Sequence, residues 1–137
     1  MDDHEPGYIT VADICAGAGS IRAALETVGG PWPMAVLTAL RPGPCRYGEL
    51  KQVVEGINDR MLSQTLHRFL RDGLVTTAPV TPGASRRQYL LTDLGGEVVA
   101  ALGVFIEEVV RLAPQVAAAR ARFAESALAS NTNADSA

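Results

Sequence analysis

The chain has 137 residues, enough for one domain with a hydrophobic core but too few for two full-sized domains. Its apolar content of 47% excludes a wholly disordered chain, and no stretch of roughly 18 uncharged apolar residues predicts a membrane-spanning helix. The acidic start, MDDHEP, is unlike a signal peptide, so we expect a cytoplasmic protein with no membrane partner.

The formal net charge of −3 is unevenly distributed. Residues 41–90 contain eight Lys or Arg and four Asp or Glu, a segment charge of +4, whereas residues 1–40 and 91–137 carry −4 and −3. A basic middle between acidic ends is expected if one face of the domain binds a polyanion such as nucleic acid. The alternative is that the abundance of Arg only reflects a G+C-rich genome.

The sequence lacks the residue patterns of common catalytic and metal sites. Cys15 and Cys45 have no CxxC spacing, and His4 and His67 are the only histidines, so no zinc site is expected. There are no paired catalytic carboxylates, no nucleophile–His pattern and no cofactor-binding loop. We therefore predict no catalytic residues, no metal, no cofactor and no enzymatic activity.

The first 40 residues predict an arm and two helices. Residues 1–19 are interpreted as a flexible N-terminal arm, which ends in small residues that would act as a hinge. Ser20 is a candidate N-cap for a helix over IRAALETV, which a Gly-Gly pair ends. PWPMAVLTAL predicts a second helix, because proline is compatible with a first helical turn.

Residues 45–73 carry the pattern of a helix-turn-helix. CRYGELKQVV predicts a short helix, EGIN a tight turn around Gly56, and Asn58 an N-cap for a helix over DRMLSQTLHRFLR that ends at Gly73. Two helices joined by a four-residue turn with Gly are typical of this motif. The second helix has an apolar stripe and, opposite it, a polar stripe. The polar stripe consists of Arg60, Ser63, Gln64, His67, Arg68 and Arg71.

A β-hairpin is predicted next. LVTTAPV and RQYLLT are β-prone runs on either side of a Pro-Gly turn, and Arg86 and Arg87 stand where the second run begins. Pro79 indicates that the first strand is an edge strand or ends early. Helix, helix, helix-turn-helix and hairpin in this order predict an α+β, mainly α, winged helix-turn-helix fold with a two-stranded wing.

The last predicted element is a long helix. Thr92 or Asp93 would cap it, and its apolar residues recur at helical spacing over a stripe wider than a small core needs. Pro114 is expected to kink or restart the helix, which then continues to residue 128. Residues 129–137 are interpreted as a disordered tail.

The winged fold suggests why arginines stand at the hairpin. An α-helix fits the major groove of DNA, and a hairpin beside it would overhang the backbone or the neighbouring minor groove, where Arg is favoured. The alternative is that both features are ordinary solvated surface. The predicted DNA contacts are Asn58, Arg60, Ser63, Gln64, His67 and Arg68 on the recognition helix, Arg86 and Arg87 on the wing, and Arg46 and Tyr47 at the DNA backbone.

Three segments together resemble the HxlR-type winged helix-turn-helix regulators of bacteria, relatives of the MarR type. They are VGGPWPMAVLTAL, GPCRYGELKQVVEGINDRMLSQTLHRFLRDGLV and SRRQYLLTDLG, within residues 21–112. The resemblance implies a homodimeric transcription regulator that binds a palindromic double-stranded operator and is associated with the nucleoid. It also implies that the N- and C-terminal helices form the dimer. The predicted dimer residues are Val98, Leu102, Phe105, Ile106 and Val109.

The resemblance divides the chain into an arm (1–19), a winged helix-turn-helix domain with its dimerisation helix (20–113), a C-terminal helix extension (114–128) and a tail (129–137). Many members of the family carry a sensing cysteine shortly before the first shared helix, so Cys15 and, more weakly, Cys45 are candidate thiol sensors. The alternative function is therefore a sensor whose DNA binding is gated by a small-molecule effector or by thiol oxidation.

Overall fold

A computed structural model describes residues 9–15 and 19–135 of the chain. The chain forms two compact units, one up to Val99 and one from Ala100. The elements in chain order are α1 (Val11–Cys15), α2 (Gly19–Val28), α3 (Pro31–Leu40), α4 (Tyr47–Val53), α5 (Asp59–Arg71), β1 (Val75–Pro79), β2 (Arg87–Leu91) and α6 (Asp93–Asp135). This order confirms the predicted mainly helical fold with a two-stranded wing.

The core of the first unit lies among α3, α4 and α5. Leu37, Leu50, Leu62 and Phe69 are fully buried, and Leu66 is nearly so. Each such side chain contributes roughly 1.5–3 kcal/mol by leaving water. Of the apolar stripe predicted for α5, Leu62, Leu66 and Phe69 are buried, whereas Leu70 is 40% exposed. The polar stripe on the opposite side of this helix faces outward.

The turn between α4 and α5 confirms the helix-turn-helix. Gly56 has φ +90°, and a Cβ at this position would come within 3.2 Å of the Trp32 ring, so glycine is required for both reasons. Ile57 turns into the core, and the Asn58 side chain accepts a 2.8 Å hydrogen bond from the Met61 N–H as the N-cap of α5.

The end of α5 and the wing follow the predicted turn chemistry. Gly73 has φ +75°, and the paired bonds from the Leu74 N–H to the Phe69 carbonyl and from the Gly73 N–H to the Leu70 carbonyl form a Schellman cap. β1 and β2 pair antiparallel from Val75 with Leu91 to Pro79 with Arg87.

The other edge of β2 is also paired. Cys45 forms an isolated antiparallel bridge with Tyr89, with backbone hydrogen bonds of 2.9 and 2.7 Å. β2 is therefore central, and β1 is an edge strand that ends at Pro79, as the proline predicted. The bridge anchors the wing to the segment just before α4.

The start of α6 packs tightly against the end of α5. The Thr92 hydroxyl accepts a hydrogen bond from the Gly95 N–H (3.0 Å) and donates one to the Gly73 carbonyl (2.6 Å), so Thr92 is the capping residue. A Cβ at Gly95 would lie 1.9 Å from the Leu74 carbonyl oxygen. The wing therefore leads directly into α6 through a contact that only glycine permits.

α6 differs from its prediction in two ways. It continues through Pro114 as one helix, and it extends to Asp135 through most of the segment interpreted as a disordered tail. Proline removes one N–H, and the carbonyl left without it, on Val110, belongs to a residue that is 66% exposed, so water can satisfy it. The final two residues lie outside the described part of the chain.

Part of the segment interpreted as a flexible N-terminal arm is helical. α1 forms over Val11–Cys15, where Thr10 and Asp13 cap each other: the Thr10 N–H donates to the Asp13 carboxylate (2.8 Å) and the Asp13 N–H to the Thr10 hydroxyl (3.2 Å). α2 begins at Gly19, one residue before the predicted cap. The rest of the predicted arm, residues 1–8 and 16–18, lies outside the described residues.

Among the residues that the structure describes, none of the helices has the length and hydrophobicity of a transmembrane span. Over the same residues, no group of three or more His, Cys, Asp or Glu side chains is placed to hold a metal ion.

Candidate nucleic-acid interface

The outward face of α5 is an exposed polar stripe. Arg60, Gln64, His67 and Arg68 are exposed, and within the described residues their side chains make no hydrogen bond or ion pair. Ser63 is exposed as well, but its hydroxyl is engaged. The stripe therefore presents two unpaired guanidinium groups, an amide and an imidazole to solvent. Such groups match the acceptors and donors on base edges and phosphates.

A cluster of side chains holds the beginning of α5. The Tyr47 hydroxyl lies 3.0 Å from Asp59 Oδ1 and 3.2 Å from Ser63 Oγ, and it donates to the Asp59 carbonyl at 3.1 Å. Lys51 Nζ pairs with Asp59 Oδ1 at 2.8 Å. Tyr47 and Lys51 on α4 thus fix the first turn of α5 from one side.

The cluster also pairs the acidic residue at the start of α5. Hydrogen bonds from Lys51 and then Tyr47 lower the pKa of Asp59, and the same bond raises the pKa of Lys51. A carboxylate at this position would repel DNA phosphates if it were unpaired. Because Asp59 is paired with Lys51, its negative charge does not offset the positive charges of the polar stripe on α5.

Arg46 and Tyr47, the two residues predicted to contact the DNA backbone, form hydrogen bonds within the protein. The Tyr47 hydroxyl bonds to α5, as described, and Arg46 Nε bonds to Glu49 Oε1 at 2.8 Å while the Arg46 N–H donates to the same oxygen at 3.1 Å. These bonds lower the pKa of Glu49. Asn58 is likewise occupied, since its side-chain oxygen caps α5. The sequence identified these residues as polar and exposed, but it gave no sign of their partners.

The two wing arginines have different surroundings. Arg86 precedes β2, is exposed, and forms no ion pair or side-chain hydrogen bond with the described residues. Arg87 reaches across the hairpin to Thr77, where its guanidinium donates to the hydroxyl (3.0 and 3.2 Å) and to the carbonyl (3.2 Å). The structure therefore leaves one arginine of the pair free and folds the other onto the sheet.

A cleft of about 430 Å³ joins the wing to the helix-turn-helix. Its walls come from the start of α4 and from the end of the hairpin turn, and Tyr47 is shared between this cleft and the first turn of α5. The lining residues are Arg46, Tyr47, Gly48, Glu49, Gln52, Arg86 and Arg87. Residues from the wing, α4 and α5 predicted to contact DNA are thus brought to one region of the first unit.

Comparisons with known proteins agree with this architecture. The family model described as HxlR-like helix-turn-helix matches residues 27–115. The chain belongs to this family. The HTH-type transcriptional regulator YtfH of Escherichia coli K12 is 36% identical over 91 residues, which cover 63% of this chain and 71% of that protein. An HTH-type transcriptional regulator of Methanothermobacter thermautotrophicus is 31% identical over 88 residues, covering 64% and 67%.

A solved structure shows the same fold. The transcriptional regulator YtfH from Salmonella typhimurium has a TM-score of 0.64 and 32% identity, with 72% of this chain and 88% of that chain covered. The resemblance inferred from the sequence motifs is thereby confirmed, and the protein is a transcriptional regulator of the HxlR type. Regulators of this class are not enzymes.

The predicted dimer residues of this HxlR-type regulator lie along α6. Val98 is half-buried, whereas its neighbour Val99 is 3% exposed and belongs to the core of the first unit. The apolar stripe predicted from sequence did not distinguish core residues from dimer residues. In the second unit, Phe105 and Val109 are exposed, and Leu102 and Ile106 are half-buried. Within the described residues, positions 107–133 are all exposed.

The two candidate thiol sensors are both free cysteines. Cys45 is half-buried beside the carbonyls of Ala39 and Gly43 (3.8 and 3.7 Å), and burial, then the charge of Glu49, raises its pKa. A raised pKa disfavours the thiolate that reacts with oxidants. Cys15 is exposed at the end of α1.

Sequence reasoning missed a cluster that joins α2 to the end of α5. The Thr27 side chain is 3% exposed, and its hydroxyl bonds to Asp72 Oδ2 at 2.5 Å. Arg71 donates to both oxygens of Asp72 at 2.8 and 3.1 Å. Hydrogen bonds from Arg71 and then Thr27 lower the pKa of Asp72 to about 2. The partners are 45 positions apart, so no local pattern could have indicated this cluster.

Proposed function

We propose that this chain is a dimeric regulator that binds specific DNA sequences with α5 in the major groove and its wing at the adjacent minor groove. The observation that carries the proposal is the position of Tyr47. This residue borders the cleft with Arg86 and also touches Ser63, which lies three residues after the unpaired Arg60 on the exposed face of α5. A surface with that arrangement fits a duplex whose backbone passes between the two elements.

The α5 stripe would supply sequence discrimination. Arg60 and Gln64 are exposed near the beginning of the helix, where recognition helices contact base edges. Arg can bond to both acceptors of guanine and Gln to the donor and acceptor of adenine, and each such pair contributes roughly 1–3 kcal/mol of discrimination. His67 and Arg68, further along, are placed for phosphate or groove contacts.

The wing and the start of α4 would supply affinity that does not depend on sequence. Arg86 is unpaired, and Arg46 holds Glu49 in the same cleft. A phosphate that enters the cleft would compete with Glu49 for Arg46 and would meet Arg86 without rearrangement. Dimerisation through α6 would place two such surfaces on a palindromic operator.

The test combines operator selection with anisotropy titration. Selection from a random DNA library with the full chain should yield a palindromic sequence, and Arg60→Ala or Gln64→Ala should raise the Kd for it roughly tenfold or more and relax the preference at defined positions. Arg22→Ala is the matched control, since Arg22 is an exposed arginine on α2 that pairs with Glu26. An unselective protein, or an affinity unaffected by Arg60→Ala and Gln64→Ala, would contradict the proposal.

A second candidate function, gating by a small molecule, is favoured by one observation. An apolar cleft of about 390 Å³ lies between α2 and the start of α6, with Leu25, Val28, Leu74 and Leu94 among its lining residues. Asp72 also borders it and is bonded to Thr27 on α2. A ligand here would act on the contact between α2 and the end of α5. Thermal-shift screening with and without operator DNA tests this, and ligands that stabilise the protein should alter its affinity for the operator.

A further inference from the structure

The second unit contains a helix that continues well beyond the part of the chain the family describes. The family match ends at residue 115, but α6 extends to Asp135. Positions 107–133 are exposed, including Phe123 at 77%, and Phe105 just before them is 55% exposed. Most helical stability in proteins comes from packing of an apolar face, so a helix this long with two exposed phenylalanines requires a partner.

Seven apolar residues of this unit follow the spacing of a two-stranded coiled coil, while Val104, Ile106, Val110 and Leu128 stand outside it. The seven positions are separated by three and four residues in strict alternation, which is the 3.5-residue repeat of helices that pack along their length. We call these residues the apolar seam: Leu102, Phe105, Val109, Leu112, Val116, Ala119 and Phe123. Pro114 lies two positions after a seam residue and two before the next, on the side away from the contact.

Two charged residues flank the seam at equivalent positions. Glu108 immediately precedes the seam residue Val109, and Arg122 immediately precedes Phe123; both seam residues follow the previous one by four positions. Each charged residue is seven residues from Gln115. Within the described residues Arg122 has no ion pair, and Glu108 uses only its Oε2 atom, which accepts two bonds from Arg111. Glu108 Oε1 is available for a second cation.

These features fit one occupant, a second copy of the same helix in antiparallel orientation. We propose that the apolar seam pairs with itself about a two-fold axis near residue 114, which is also the midpoint of α6. Phe105 then lies opposite Phe123 of the second copy, and Leu112 opposite Val116. Each pairing occurs twice, so both exposed phenylalanines are covered.

Charge selects this register. In antiparallel helix pairs, the residues that immediately precede these seam positions on the two helices face each other. Glu108 therefore pairs with Arg122 of the second copy, and Arg122 pairs with Glu108 of the second copy. A shift of one heptad pairs neither residue with an opposite charge, and a shift of two places Glu108 against Glu108. Parallel pairing puts Glu108 beside Ala113. The inference rests on the proposed dimer and specifies which segment forms it and in which direction.

Disulfide crosslinking tests the register directly. In a Cys15→Ser, Cys45→Ser background, Gln115→Cys places one thiol of each copy next to the axis, so mild oxidation should give a covalent dimer. Ala121→Cys is the matched control, because this position faces away from the seam and should not crosslink. A dimer that Gln115→Cys does not crosslink, or that Ala121→Cys crosslinks equally well, would overturn the register.

Charge exchange provides the second test, read by sedimentation of the full chain without DNA. Glu108→Arg and Arg122→Glu should each raise the dimer Kd roughly tenfold, because each converts two attractive pairs into two repulsive ones, and the double variant should recover to within about threefold. Glu107→Arg, which faces outward, should have little effect. A monomeric parent protein, or a double variant no better than the single ones, would overturn the proposal.

The outcomes separate this inference from the proposed function. A protein that binds its operator but does not crosslink at position 115 would overturn the antiparallel register and leave DNA binding intact. A crosslinked dimer that selects no DNA sequence would overturn the proposed function and leave the antiparallel register intact.

Discussion

Arg86 and Arg87 are adjacent in the chain, but their guanidinium groups have different surroundings. Arg87 donates three hydrogen bonds to Thr77 across the hairpin, whereas the Arg86 side chain makes none with the described residues. A guanidinium that already has good acceptors gains less from a phosphate, because it must give up those bonds. The two residues are therefore not equivalent candidates for DNA contact.

Arg86→Ala should weaken binding to all DNA sequences and lower the slope of log K against log salt by about 1.8, the value for two phosphate contacts, one from each subunit of the dimer. Arg87→Ala should change the slope less and should instead lower the melting temperature of the protein, since it removes the bonds to Thr77. Anisotropy titrations between low and moderate salt measure the slopes. Equal slope changes in the two variants would show that Arg87 leaves Thr77 on binding.

Asp72 gives the second residue-scale prediction. Its folded-state pKa of about 2 lies below the ordinary value near 3.9, so its contribution to stability is present above about pH 4 and is lost as the pH falls through about 2. Asp72→Asn should lower the free energy of unfolding at pH 7 by roughly 1 kcal/mol, a figure reduced by solvent screening because its partner Arg71 is exposed.

Urea unfolding followed by Trp32 fluorescence measures this effect in the first unit. The difference between Asp72→Asn and the parent protein should shrink steadily between about pH 4 and about pH 2. Glu55→Gln is the control, since Glu55 is exposed and its side chain makes no bond with the described residues. A difference that stays constant over this range would show that the Asp72 carboxylate charge does not stabilise the fold.

At the scale of elements, the junction between the wing and α6 depends on one glycine. Gly95→Ala would place a methyl group 1.9 Å from the Leu74 carbonyl oxygen, which is backbone and cannot rotate away, whereas a Cβ at Gly96 meets nothing within 4 Å. We predict that Gly95→Ala lowers the free energy of unfolding by roughly 3 kcal/mol or more.

Gly96→Ala is the matched variant and should raise stability by roughly 0.5–1 kcal/mol, the ordinary effect of alanine in a helix. Both values come from the same denaturation experiment. Similar stabilities for the two variants would mean that the start of α6 moves away from Leu74 at little cost. The close contact would then not be required to hold the wing against the helix.

The elements themselves were largely predictable from sequence, because their signals are local. The N-cap at Asn58, the cap at Gly73 and the strand-ending Pro79 each act within a few residues, and the structure confirms all three. The side-chain partners were not predictable. Tyr47 meets α5 twelve and sixteen positions away, and such distant pairs leave no periodic pattern in the sequence.

At the scale of the whole molecule, the expectation that α6 restarts at Pro114 is wrong, because one helix runs from Asp93 to Asp135. A proline interrupts a helix most strongly where the carbonyl it leaves unpaired is buried. Here the surrounding residues are exposed, so water replaces the missing N–H and the helix continues. Burial depends on the whole structure, which the local sequence does not contain.

Charge distribution is the remaining property of the whole molecule, and it leads to a prediction that separates local from net charge. The protein has a net charge of −3, yet the surface proposed to bind DNA comes from the segment that carries +4. Salt dependence of binding counts the phosphates that are neutralised, not the total charge. We therefore expect strong salt dependence from an acidic protein.

Glu107→Gln combined with Glu125→Gln removes two negative charges and changes the net charge from −3 to −1. Because neither residue belongs to the proposed DNA-binding surface, the slope of log K against log salt should stay within error of the parent value. Arg68→Ala makes the net charge −4 and should lower the slope by about 1.8, since each subunit of the dimer loses one phosphate contact. If the slopes followed net charge instead, binding would be a diffuse electrostatic effect, and the unpaired Arg68 on α5 would not mark a specific contact.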